Sequence, residues 1–287
     1  MTTTLSTNRY DRYMPLLHKW LRNVALSVLM MASQMTANAN PEPSLVPSEA
    51  PSDIPETQTP TPPDLTGTWY MRIRTATNAR LAIIGTTKIR STTHLLVHIE
   101  NVNGTLTQTQ KTCAVDTRPS RSISRTVLPK AFIDHLPVKS YPVELSLTED
   151  GTWSYEADLR QQFVGYHGDL ATDGIPEDDE HPSVFDWDED GKPGASVLAD
   201  IPLFGHIRIY MVQTNHTLIS GQVLNEDRIE GRTRQRVLDQ RTIGADNRLF
   251  AASPKLSVGT GHDRLELMRI DTPATCDDIT RMAKGTF

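Results

Sequence analysis

Cysteine is nearly absent: only Cys113 and Cys276 occur in 287 residues. Two cysteines without a Cys-x-x-Cys pair exclude a cysteine-rich zinc site and the usual redox motif. The chain also lacks the local signatures of common catalysts. There is no His-Glu-x-x-His helix and no phosphate-binding glycine loop, and Gly194-Ala195-Ser196 lacks the glycine that a nucleophile elbow needs. Beyond the apolar stretch 24–32, no run approaches the ~20 residues of a permanent membrane helix. Positive charge is in deficit, 29 Lys and Arg against 35 Asp and Glu, a formal net charge of −6. That balance argues against a nucleic acid held through phosphate contacts. Arg232, Arg234 and Arg236 alternate along one segment, the pattern of a strand's solvent face.

What is present begins with a three-part leader at 1–39. Arg9, Arg12, Lys19 and Arg22 precede the apolar stretch, and Ala37-Asn38-Ala39 follows it. This is the pattern of a cleaved signal peptide, so the mature protein is expected to be secreted or periplasmic, with no transmembrane segment. A Pro-rich linker is expected at 40–63, where eight of the 19 prolines fall. Such a composition cannot bury enough surface to fold and forms a stiff tether. In an oxidising compartment, Cys113 and Cys276 are expected to form one disulfide closing a long loop.

The remainder, 64–287, is large enough for one β domain with a real core. Alternation predicts a hairpin at 94–100 and 105–115 around Asn103-Gly104, and a second at 143–147 and 152–159 around Asp150-Gly151. Further strands are expected at 68–74, 204–214, 217–224, 228–236 and 264–270. Helix is confined to short pieces at 129–135 and 276–282. The fold class is therefore all-β, an antiparallel barrel or sandwich with a long acidic loop insertion and one or two short helices.

That loop carries the sharpest motif. In Asp186-Trp187-Asp188-Glu189-Asp190-Gly191-Lys192-Pro193-Gly194, three carboxylates at alternate positions precede a glycine. A hard divalent cation, Ca²⁺ above all, suits such a curl of oxygens. The loop resembles those of EF-hands, dockerins and thrombospondin type 3 repeats. The resemblance implies Asp186, Asp188 and Asp190 as side-chain ligands and Lys192 as a carbonyl ligand, in a calcium loop spanning 186–197. Val197 stands where an EF-hand has its bidentate Glu, which implies weak affinity, roughly 10⁻⁴ to 10⁻³ M. Missing ligands are expected from Asp178, Asp179, Glu180 or Asp200.

Leu65-Thr66-Gly67-Thr68-Trp69-Tyr70 resembles the opening strand of lipocalin-like barrels, which implies an indole packed across a barrel floor. Signal, tether, β domain and acidic loop together also resemble uncharacterised secreted bacterial β-domain proteins, a likeness that implies a compartment and no activity. The pairs Asp134-His135 and His262-Asp263 do not work together on a strand, where neighbours face opposite sides. His94, His98, His206 and His216 are expected as surface or satisfied core imidazoles. The reading is a calcium-binding β-domain protein in a binding or structural role, without catalysis, whose partner is the ion and an envelope component or small apolar ligand. The alternatives are a lipocalin-like carrier of a small apolar ligand and a secreted hydrolase, which would need a His and a carboxylate or serine in one pocket.

Overall fold

The structure, a computed structural model, describes residues 60–81, 85–120, 125–168, 174–201, 204–270 and 273–285. The expected signal peptide and most of the Pro-rich linker lie outside the described residues. Among the described residues, no helix is long and apolar enough to cross a membrane.

The chain is all-β and antiparallel, as the alternation implies. Asn103 and Gly104 both take left-handed backbone, with φ of 53° and 84°. That geometry matches the twist of a two-residue hairpin, here joining β2 (Gly85–Val102) to β3 (Thr105–Pro119). Gly151, with φ of 81°, turns β6 (Glu144–Leu147) into β7 (Trp153–Val164). β1 (Gly67–Leu81) pairs with β2 along its whole length, and with β12 (Arg264–Ile270) and β11 (Lys255–Val258) on its other edge.

The segments expected as two strands at 204–214 and 217–224 are one, β9 (Gly205–Asn225). Asn215-His216 carries no glycine or proline to break the ladder, and β7 and β10 both pair with it, each absorbing a register shift on its own strand. β8 (Ala195–Ile201) and β7 share one edge of β9, while β10 (Arg228–Ala245) covers the other. Arg232, Arg234 and Arg236 are exposed on β10, as their spacing predicts.

The sheet curls on itself, but its ladder does not close into the hydrogen-bonded barrel that was one expectation. With β6 pairing only β7 off the main path, that path ends at β4 (Arg125–Val127), which pairs with β8, and at β5 (Lys139–Pro142), which pairs with β3. Helix α1 (Lys130–Asp134) lies between these two edge strands in sequence. Pro129, Pro137 and Pro142 flank that stretch and supply no N–H to a ladder, which suits a seam and not a central pairing. Two side-chain bonds bridge the seam: Thr117 Oγ1 donates to the Thr126 carbonyl at 2.7 Å, and Gln162 Nε2 donates to Tyr141 Oη at 3.0 Å.

One end of the rolled sheet is filled. Trp69, Met71, Ile99, Tyr155, Ile219 and Leu267 belong to one buried cluster drawn from seven strands. Trp69 donates from Nε1 to the Leu65 carbonyl at 3.0 Å, and the Arg269 guanidinium lies 4.6 Å from its ring centroid. Outside the sheet, α2 (Cys276–Gly285) packs Ile279 and Ala283 against β2 and β3, and the Cys113–Cys276 disulfide ties it there. A bulge opposite His94 and Leu95 places Cys113 out of the ladder's regular register.

Candidate binding cavity and acidic loop

Along each long strand the inward face changes character partway. On β1, Trp69, Met71 and Ile73 give way to Thr75, Thr77 and Ala79; on β2, Ile99, Val97 and Leu95 give way to Thr93, Ser91, Ile89 and Thr87. The central part of β9 presents Gln213, Asn215 and Thr217 at the same parity as Met211 and Ile219. β10 keeps its face through a register shift between Gln235 and Val237, so that Gln235, Leu238, Gln240 and Thr242 all line the interior. Shorter polar side chains cannot meet across the sheet where bulky apolar ones do. The consequence is an internal cavity of about 440 Å³, within the range of small-molecule sites.

The wall is mixed but almost without charge. Val164, Val197, Ile209 and Met211 are among the many apolar residues that line it, and threonine hydroxyls and glutamine amides are interspersed with them. Among the described residues no Asp, Glu, His or Arg lines it, and the one charged residue that does is Lys139. Lys139 faces Gln110 across the β3–β5 ladder and shares its face with Tyr141 two residues on. Burial alone pushes the Lys139 ammonium below its ordinary pKa, with no carboxylate raising it in return. Burial likewise pushes the Tyr141 phenol up to about 12. Gln235 Oε1 is buried without a hydrogen-bond partner. Leu249, 61% exposed, lines both the cavity and the surface and so marks its mouth, beside Phe250, whose ring meets Phe204 edge-on at 5.3 Å.

The acidic loop stands against the same wall from outside. Asp186, Asp188 and Asp190 converge, with one carboxylate oxygen from each lying within 4.8 Å of the others. Local geometry explains the convergence. Asp186 accepts from the backbone N–H groups of Asp190 (3.1 Å) and Gly191 (2.8 Å), and Asp190 accepts from Lys192 N–H at 3.0 Å. Glu189 and Gly191 take left-handed φ of 55° and 79° to make the curl. Trp187 N–H to Gly194 carbonyl, 3.0 Å, closes it. At Gly194 a side chain would fall 2.7 Å from the Met211 carbonyl, so the loop can lie this close to β9 only with glycine there.

Asp188 is the buried member. Burial first, then the neighbouring Asp190 and Asp186 charges, pushes its carboxyl above the usual carboxylate range. Asp190 accepts from Ser196 Oγ at 2.7 Å and lies 3.5 Å from Arg208 Nη1. Lys192 Nζ is 6.0 Å from the Tyr210 ring centroid. Asp178, Asp179 and Glu180 are exposed, and Asp178 caps its own turn by accepting from Glu180 N–H at 3.1 Å. Asp200 sits on β8 with His206 Nδ1 at 3.8 Å. None of these four belongs to the converging group. Trp187 anchors the loop to the seam: it is buried in a cluster with Phe132, Val164 and Met211, and its Nε1 donates to the Phe132 carbonyl at 3.4 Å.

Among the described residues, no histidine lines the cavity. His94 is buried on the outer face, with Nδ1 2.6 Å from Tyr70 Oη and Nε2 3.0 Å from Asp116. His216 Nε2 lies 2.6 Å from Asp158. Sequence reasoning singled out none of Lys139, Gln110, Gln162 or Gln235. The available signal was the run of polar residues at inward parity in Thr75-x-Thr77 and Gln213-x-Asn215-x-Thr217, within strands otherwise apolar on that face. No family model, curated protein or solved structure matches the chain.

Proposed function

We propose that the protein is a binding protein of an oxidising extracytoplasmic compartment, taking a small molecule into the interior of its β domain. The observation that carries this reading is the cavity of about 440 Å³, built from residues of ten strands beside a fully packed core. A domain able to fill one end with Trp69 and Tyr155 has kept the other end lined by threonine and glutamine. The disulfide between Cys113 and Cys276 supports the compartment.

In this reading the acidic loop has a supporting role. Asp186, Asp188 and Asp190 form an all-oxygen donor set suited to a hard cation such as Ca²⁺. The ion would neutralise the three carboxylates and hold Trp187 against the seam helix.

The test is saturable binding of Nile red, a neutral apolar dye, to the mature chain. One equivalent is expected to bind with a blue-shifted emission, and Thr93→Trp, which fills the cavity from β2, is expected to abolish binding while the variant still unfolds cooperatively. Dye binding that a folded Thr93→Trp variant retains would place the dye elsewhere and overturn the reading.

A further inference from the structure

Among the described residues, Lys139 is the one charged side chain on a wall otherwise made of hydroxyls, amides and apolar groups. Among the described residues it has no ion-pair or hydrogen-bond partner, although carboxylates elsewhere pair readily, as Glu266 does with Arg74 at 3.3 Å. An ammonium partly withdrawn from water without a counter-charge is costly to the fold. A lysine serving only as a solubilising group could have stood at Ser140, whose side chain bonds Thr109 on the exposed face of the same strand. Instead the lysine occupies the inward parity, between Gln110 on the facing strand and Tyr141 on its own.

We propose that the cavity takes an amphipathic monocarboxylic acid, with its carboxylate on Lys139 and Gln110 and its apolar body against Val164, Val197, Ile209 and Met211. This rests on the cavity reading above and specifies its ligand. The chemistry of the wall selects the class. A cationic ligand finds no carboxylate among the described lining residues, and a phosphate dianion finds one cation there, where recognition ordinarily uses several donors of fixed geometry. A single carboxylate matches a single ammonium, and the neighbouring Gln110 amide can donate to its second oxygen. Remaining hydroxyls and amides, among them Gln235, accommodate polar substituents along the body. Burial of the ammonium, which lowers its proton affinity in the empty protein, is relieved when the carboxylate arrives.

Decanoate, decanol and decyltrimethylammonium serve as probes of identical tail and different charge, titrated calorimetrically into the mature protein and checked by displacement of Nile red. Decanoate is expected to bind about tenfold or more tightly than decanol, the worth of one charge-assisted hydrogen-bonded pair. Decyltrimethylammonium is expected to bind more weakly than either. Lys139→Met should bring decanoate down to the level of decanol and leave decanol unchanged, while Lys139→Arg should keep the preference. Carbon NMR of carboxyl-labelled decanoate gives a measurement independent of any variant: bound to the wild type, the carboxyl should titrate at lower pH than free decanoate. Equal affinity for acid and alcohol, or an acid preference untouched in Lys139→Met, overturns the acid and leaves the cavity standing. If neither probe binds nor displaces the dye, cavity and acid fall together.

Discussion

His94 shows how one buried side chain can couple this fold to pH. Its two ring nitrogens meet a phenol and a carboxylate, which suits a neutral imidazole accepting from Tyr70 Oη at Nδ1 and donating from Nε2 to Asp116. Burial holds its pKa below the ordinary histidine value, and the Arg72 and Arg74 charges push the same way, against the opposing pull of Asp116. A group whose proton affinity is lower folded than unfolded contributes stability that is complete above the unfolded pKa. That stability declines as pH falls through about 6.5 and is lost once the depressed folded pKa is passed. The urea midpoint of the wild type should therefore fall between about pH 7 and pH 5 more steeply than that of His94→Gln. Parallel slopes for the two proteins would remove His94 as the cause. At the same scale, Arg269 makes several bonds at once. It donates to the carbonyls of Asp64, Thr66 and Glu226 while covering the Trp69 ring, so it closes the filled end and ties the chain before β1 to the turn before β10.

The elements differ in how far they stand alone. α2 has ten residues, two of them buried, and a reciprocal cap in which Thr275 N–H bonds Asp278 at 2.8 Å and Asp278 N–H bonds Thr275 Oγ1 at 3.4 Å. A helix this short is marginal without packing, and the disulfide supplies a permanent anchor at its first residue. The bond spans 163 residues, for which loop entropy predicts about 4 to 5 kcal/mol. Cys276→Ser should lower unfolding stability by up to that amount. Hydrogen exchange should show α2 amides losing protection before those of the β1–β2 ladder; equal protection in variant and wild type would show that packing alone holds the helix. Elements of this kind were legible where a few residues decide the outcome. Asn103-Gly104 and Asp150-Gly151 fixed two turns, and 264–270 was readable to its ends. The unbroken course of β9 through Asn215-His216 was not, because β7 and β10 impose it from both sides. The acidic loop could be read because its three carboxylates lie within five residues and converge through their own backbone turns. Lys139 and Gln110 could not, because only the β3–β5 register sets them opposite each other.

For the molecule as a whole, the seam decides what the acidic loop can do. The ladder is interrupted between edge strands β4 and β5, where α1, two side-chain bonds and the Trp187 cluster take over. Without a cation, the loop that carries Trp187 must hold a buried Asp188 beside two further carboxylates, an arrangement in which ionisation itself opposes folding. Because Asp188 binds its proton more tightly folded than unfolded, the metal-free protein loses stability as pH rises from the ordinary carboxylate range through the raised folded value. A bound Ca²⁺ should offset that loss. At a hundred times its Kd, an ion that binds only the native state adds about 2.7 kcal/mol. For a domain of this size each kcal/mol is worth about 2 to 4 °C in Tm. Thermal unfolding of residues 40–287 in EDTA and then in millimolar Ca²⁺ should therefore differ by several degrees. Mg²⁺ should give less, since it demands stricter geometry and dehydrates reluctantly. Asp188→Asn should melt higher than wild type in EDTA, having lost the buried charge, and should lose the calcium response. Identical melting of the wild type in EDTA and Ca²⁺ would leave Trp187 packing alone as the brace, and the seam would then be held by its apolar cluster without help from an ion.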